Sequence, residues 1–505
     1  MVRNVGTRLH DNAFLGKIVQ KLNEHWIEAV FVSLIFCLGF GFYLWFYFRF
    51  PLMLMIDGPY YLIQVQSLLQ SGTLVYGDPP LTFFLLTITT LLYGDIIVGV
   101  KVGIAFFCAL TAIPAYFLMK RVGKSMLAGY LAMLFIIFSP LYLRMISDFI
   151  KNAIGIAWLL AFIYFLHDLT FSGYNRGSLG LATIFLLLTG LTHILVFGVA
   201  ILFLLLYTVL GILRSQNRKA VLQTMSVLGV VIVVFVLIAA TFFSWFFSDF
   251  SKVFSFLNTL TESQNNSVSQ PPIAGPGGPV INNFFALSLV GGWGAILVLL
   301  SIGTILSLYV WKKHEKEALV LLVAVTIIGA ILSFPLIPTE YLTRFMLMLT
   351  IPAAVILSYG LTLLWRQDLP AAKVLTIILI VLCVGIYVAQ SFQTAMSLQP
   401  TISFVAYQDL VNMRAFIGPN SVIVISNQQG IGYWIQYVEN TDIVGLGQQL
   451  SADLWQSYSH VYGIFVQGQL PPGNYSILFE GNVYILVELY PKPSIIQYAA
   501  TSITF

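Results

Sequence analysis

The chain has 505 residues, of which 59% are hydrophobic and 9% charged, with a mean hydropathy of +0.90. Soluble domains carry roughly 25% charged residues, so this balance excludes an ordinary globular protein. The net charge of +4 is small and spread along the chain, which gives nucleic-acid binding no support.

The first apolar run, 27–48, is long enough to cross hydrocarbon and has no small-residue cleavage site behind it, so it is expected to stay as an anchor. Placing the N-terminus (Arg3, Arg8, Lys17, Lys21) in the cytoplasm makes each later basic cluster a marker of the inner side. Those clusters are Lys120, Arg121 and Lys124; Arg176; Arg214, Arg218 and Lys219; Lys312, Lys313 and Lys316; and Arg366 and Lys373. An even number of crossings must separate successive clusters. That parity puts the apolar run 79–93 on the outer surface as an interfacial helix, and splits 178–213 into two short spans turning near Thr192-His193. The expected spans are 27–48, 97–119, 126–143, 152–167, 178–191, 194–213, 221–247, 284–310, 317–335, 342–365 and 371–391. The expected fold is a polytopic all-α membrane domain of about eleven transmembrane helices over 1–391, with outer loops at 49–96, 144–151 and 248–283. A small extracytoplasmic α/β domain follows over 392–505. The loop 248–283 is rich in Gly, Pro, Ser and Asn and reads as a flexible strap. The tail alternates helical pieces (404–416, 430–437, 451–460) with short β runs (421–426, 483–488). Asn265 and Asn474 open N-x-S sequons on the outer side. The cysteines Cys37, Cys108 and Cys383 all sit in apolar runs, with no disulfide or zinc spacing. Internal repeats of the kind that build many transporters are not visible.

The residues able to carry chemistry gather at the outer ends of spans. Asp57, in Ile-Asp-Gly-Pro-Tyr-Tyr with Tyr60, stands just beyond the first span. It reads either as an N-cap of the following helix or as a general base where a lipid head group meets an aqueous acceptor. Arg144, Asp148 and Lys151 lie between the third and fourth spans; Asp148 and Lys151, three apart, would share a helix face. They read as a polar site or as interfacial anchors. His193 falls at the expected turn between two short spans, as a packing residue or a donor to a phosphate. In PTEYLTRFMLMLTIP, Arg344 falls at the outer end of a late span beside Glu340 and Tyr341, where a guanidinium can grip phosphate or merely snorkel to the interface.

An aspartate after the first span, a surface helix ending in Ser-Gly, a Pro-Pro-Leu entering the next helix, and an Arg-aromatic pair ahead of Pro352 together resemble the GT-C glycosyltransferases. These multispanning enzymes take a sugar from a polyprenyl-phosphate carrier and pass it to an acceptor on the outer face. The resemblance implies that Asp57 is the catalytic base, that Asp148 belongs to a second acidic motif, and that Arg344 contacts the carrier phosphate. Ser-Asp-Phe stands where the family often has Asp-x-Asp, which weakens the case for a divalent ion. No metal ligand is assigned, and magnesium or manganese stays an open alternative. Gly432–Ile435 is similar to part of the Trp-Trp-Asp-Tyr-Gly signature of oligosaccharyltransferase catalytic subunits, but Gln428, Gln429 and Gly430 replace its start. The implied function is a membrane glycosyltransferase, inverting, with a glycan, lipid or protein acceptor. Alternatives are an oligosaccharyltransferase-like enzyme using a lipid pyrophosphate, a lipid or solute transporter or flippase, and a non-catalytic scaffold. The expected place is a plasma membrane, multi-pass and prokaryotic.

Overall fold

The structure is a computed structural model that describes residues 5–215, 217–243, 292–337, 339–425, 429–445, 454–469 and 474–490, with side chains described from Trp26 onward and not at 339–340 or 429. The strap 248–283, its Asn265 sequon, and the tail beyond 490 lie outside these residues.

The chain is mostly helical. Among the described residues eight helices are long and apolar enough to cross a membrane, or nine if one bent pair counts as a single span. The chain is therefore a multi-pass membrane protein. Every segment expected to span is mostly helical where it is described, but 126–143 and 342–365 are each interrupted, and Arg176–Thr192 has only 17 residues. The helix α1 (Val5–Phe48) contains the first span, Trp26–Phe48. It is followed by α2 (Gly58–Ser71) and α3 (Leu81–Tyr93). The latter is the helix expected over 79–93, and it leaves Phe84, Ile88, Leu91 and Leu92 exposed. Helix α4 (Ile96–Leu110) packs back on α3 through a glycine notch. A Cβ on Gly99 would stand 2.3 Å from the Thr90 Cα, so only glycine admits this approach.

Two expectations are corrected around residue 140. The span expected as one rod over 126–143 breaks into α5 (Met126–Ile137) and α6 (Pro140–Asp148), bent by 48°. Pro140 cannot continue a helix from behind and is well suited to start one, and the Ser139 hydroxyl caps it by accepting from the Tyr142 N–H at 3.3 Å. The segment 144–151, expected as a loop, is helical on both sides of Phe149, where α6 ends and α7 (Ile150–Phe171) begins. Asp148 and Lys151 therefore lie on different helices and share no face.

The helix expected to end at 391 runs on to Ser397. Beyond it a five-stranded sheet has the order β2-β1-β3-β5-β4. Its strands are β1 (Ser421–Ile425), β2 (Asp442–Gly445), β3 (His460–Val466), β4 (Tyr475–Glu480) and β5 (Tyr484–Leu489). β1 is parallel to β2 and β3, and β5 is antiparallel to β3 and β4. The helix α8 (Gln429–Glu439) crosses from β1 to β2 and packs on α2, so the C-terminal unit rests on the first loop. Its Trp434 is fully buried and donates from Nε1 to Thr401 Oγ1 at 3.1 Å. Asn474 is exposed, just ahead of β4.

Candidate active site

Asp57 occupies the N-cap position of α2, yet its side chain makes no capping bond. Asp95, at the same position of α4, does cap, accepting from the Val98 N–H at 2.7 Å. The contrast removes the N-cap reading of Asp57: its carboxylate is withheld from the helix. What holds Asp57 is its backbone, whose N–H donates to Asp148 Oδ1 at 3.2 Å. The other oxygen of Asp148 accepts from Arg144 at 3.1 Å, with both side chains nearly inaccessible (2% and 3%). Arg144 also donates to the Ser147 hydroxyl at 2.9 Å. Such a pair is stable in the interior because each charge is matched and hydrogen-bonded.

The Asp57 side chain opens on a cavity of about 1040 Å³. Tyr60, Lys151, His193, Tyr341 and Arg344 line it too, so six of the nine residues singled out in the sequence meet there. Arg144 and Asp148 do not reach it; they form the wall behind Asp57. The side chain of Glu340 lies outside the described residues. His193 caps the helix over Ile194–Arg214, its Nδ1 accepting from the Leu195 N–H at 3.1 Å. That bond leaves the ring proton of the neutral imidazole on Nε2. Arg344, exposed to the cavity, lies over the Phe149 ring at 4.9 Å. One wall is apolar, built from Ile194, Leu195 and Leu202 on one side and Ile327, Ile331 and Phe334 on the other.

Asp78 and Tyr433 also line the cavity and were not singled out in the sequence. Asp78 Oδ1 pairs with Lys151 Nζ at 2.7 Å. Its only signal was a carboxylate just ahead of Pro79-Pro80. Tyr433 belongs to the Gly-Tyr-Trp-Ile stretch, so the motif was seen while its cavity-facing residue was not. Among the described residues Tyr433 is the one cavity-lining group that comes from beyond residue 345.

Asp57 carries a perturbed acidity. Burial raises its pKa to about 7, the Asp148 charge adds to the rise, and Arg344, Lys151 and Arg144 oppose it. A carboxylate of that strength can exchange a proton near neutral pH. The donor set does not fit a divalent metal. Asp148 spends its oxygens on Arg144 and the Asp57 N–H, and Asp78 faces Lys151. Among the described residues there is no group of three or more His, Cys, Asp or Glu side chains placed to hold an ion.

No protein-family model and no curated protein sequence matches the chain. Solved structures do. An oligosaccharyltransferase of Archaeoglobus fulgidus in its apo form superposes with a TM-score of 0.61 at 14% identity, over 88% of this chain and 70% of that one. The archaeal oligosaccharyltransferase AglB from Archaeoglobus fulgidus, with an inhibitory peptide and a dolichol-phosphate, gives 0.56 at 13%, over 83% and 65%. ArnT from Cupriavidus metallidurans, bound to undecaprenyl phosphate, gives 0.54 at 12%, over 93% and 100%. This chain thus spans about two thirds of the archaeal protein's length and all of ArnT's. Its fold is the GT-C membrane fold.

Proposed function

We propose that the protein is a membrane glycosyltransferase that moves a sugar from a polyprenyl-phosphate carrier to an acceptor hydroxyl on the outer face of the membrane. The observation that carries this reading is the single cavity joining Asp57, with its pKa near 7, to Arg344 and an apolar wall. A carrier needs just those three surfaces: a cation for the phosphate, an apolar groove for the chain, and a base for the incoming nucleophile. The structures of ArnT with undecaprenyl phosphate and of AglB with a dolichol-phosphate support the choice of carrier by analogy of fold.

In this mechanism the acceptor hydroxyl attacks the anomeric carbon in line with the bond to phosphate. Asp57 takes the hydroxyl proton, the carbon–oxygen bond to the carrier breaks, and polyprenyl phosphate leaves with the electron pair, so the anomeric centre inverts. Arg344 steadies the charge that grows on the leaving phosphate, and the Nε2 proton of His193 is a second donor to it. Arg144 and Lys151, both paired with carboxylates, are less suited to that task. Asp148 acts through Asp57, fixing its backbone and raising its pKa. The membrane orientation with the C-terminal unit outside belongs to the same proposal and rests on the distribution of Lys and Arg.

Membranes carrying the protein or its Asp57→Asn variant, incubated with a panel of polyprenyl-phosphate sugars and one lipid-pyrophosphate glycan, test this. Wild type should release polyprenyl phosphate and the variant at least 100-fold less, the range for loss of a general base being roughly 10²–10⁴. Equal release by both, or release from the pyrophosphate donor alone, sinks the reading. Arg344→Ala should weaken carrier binding.

A further inference from the structure

The reaction leaves one polar end of the cavity unused. Beside Asp57 stand the Asp78–Lys151 pair at 2.7 Å, the amide of Asn152, and the ring of Tyr433. Asn152 is 1% exposed and its Oδ1 has no hydrogen-bond partner. An acceptor atom left so has an unmet hydrogen bond that a donor hydroxyl can complete. Tyr433 is held in place from behind: its ring centroid is 5.6 Å from that of Tyr60 and 6.2 Å from that of Tyr76, and the Tyr76 hydroxyl bonds Gln436 on the same helix. Burial, Asp57, Tyr76 and Asp78 push the Tyr433 phenol up to about 12, so it keeps its proton at neutral pH and lies close to both carboxylates.

We propose that this end of the cavity is the acceptor subsite and that the acceptor is a saccharide, its ring laid against Tyr433 and its hydroxyls bonded by Asp78, Lys151 and Asn152. A sugar ring carries both an apolar C–H face and hydroxyls that donate and accept. The wall offers an aromatic ring, an ammonium donor, a carboxylate and an amide oxygen, which complement those groups one for one. A peptide would seek backbone pairing, and no described strand lines the cavity. An aliphatic alcohol would leave Asp78 and Asn152 unserved. The choice of acceptor rather than donor site rests on the transferase reading, which gives Arg344 and the apolar wall to the carrier. One hydroxyl of the bound ring then faces Asp57, gives it the proton, and bonds to the anomeric carbon as the carrier phosphate departs.

The test is binding to the full-length protein in a detergent without a sugar head group, read by saturation-transfer NMR. The probes are methyl glycosides of glucose, galactose and mannose, an Asn-x-Ser peptide, and a short-chain alcohol. At least one glycoside should bind, should weaken tenfold or more in Tyr433→Ala and Asp78→Asn, and should be retained in Tyr433→Trp. It should stay bound when polyprenyl phosphate saturates the cavity. Binding of the peptide or alcohol alone, glycoside binding unchanged in both weakening variants, or displacement by polyprenyl phosphate overturns the proposal. A parallel turnover assay on wild type separates the two readings. Glycoside binding without cleavage of any carrier-linked sugar refutes the transferase and keeps the saccharide site. Cleavage without Tyr433-dependent binding refutes the saccharide site alone.

Discussion

If Asp57 is the base, the rate must follow its ionisation. With a pKa of about 7, kcat/KM should rise tenfold per pH unit on the acid side and level off above neutrality. At pH 5, two units below that value, about 1% of the sites hold the ionised base, so activity should be about a hundredth of the plateau. An ordinary aspartate would still be more than nine-tenths ionised at pH 5, and its profile would be nearly flat. The causes of the shift supply a control of opposite sign. Asp148 raises the pKa and Arg344 lowers it. Asp148→Asn should therefore move the acid limb to lower pH, and Arg344→Gln should move it higher, each by about one unit. The assay is initial release of polyprenyl phosphate at sub-saturating donor between pH 4.5 and pH 8.5, the range being set by the expected midpoint. A flat wild-type profile, or two variants shifting the same way, would refute the assignment.

The same shift has a thermodynamic side. A carboxyl whose folded pKa lies above its unfolded one stabilises the fold below pH 3.8 and loses that contribution as pH rises through about 7. At 1.36 kcal/mol per unit the difference has an upper limit of about 4 kcal/mol. Wild type should melt at a higher temperature at pH 5 than at pH 8, and Asp57→Asn should remove most of that difference; a variant that melts like wild type at both pH values would contradict the assigned environment. Gly99→Ala places a methyl 2.3 Å from the Thr90 Cα. It should cost about 1–3 kcal/mol as α3 and α4 are forced apart, seen as a lower melting temperature in detergent, and an unchanged melt would show that the helices part freely.

What could be read in advance followed from periodicity and charge. Apolar length located the helices, and the positions of Lys and Arg gathered Asp57, Lys151, His193 and Arg344 at the ends of spans, where they share one cavity. Tertiary partners were not legible. The spacing of Asp148 and Lys151 suggested one helix face, but Phe149 breaks the helix between them. Asp148 then turns to Arg144 and Lys151 to Asp78. The latter pair joins the stretch ahead of α3 to the first turn of α7, and no local pattern announces it. Tyr433 reaches the cavity only because α8 packs on α2, a contact made across most of the chain. The notch at Gly99 was equally silent, since a glycine in an apolar helix does not name its neighbour.

The uncapped start of α2 has a consequence for how the site can work repeatedly. A capping carboxylate is bound up with the helix it caps, and each protonation would loosen the first turn. Asp57 stands at the head of α2 but leaves that work undone, and Gly58, Pro59 and the Asp148 contact shape the turn in its place. Its charge can come and go with the helix end indifferent to it. A group that trades a proton every cycle thereby does so without making or breaking a helix cap.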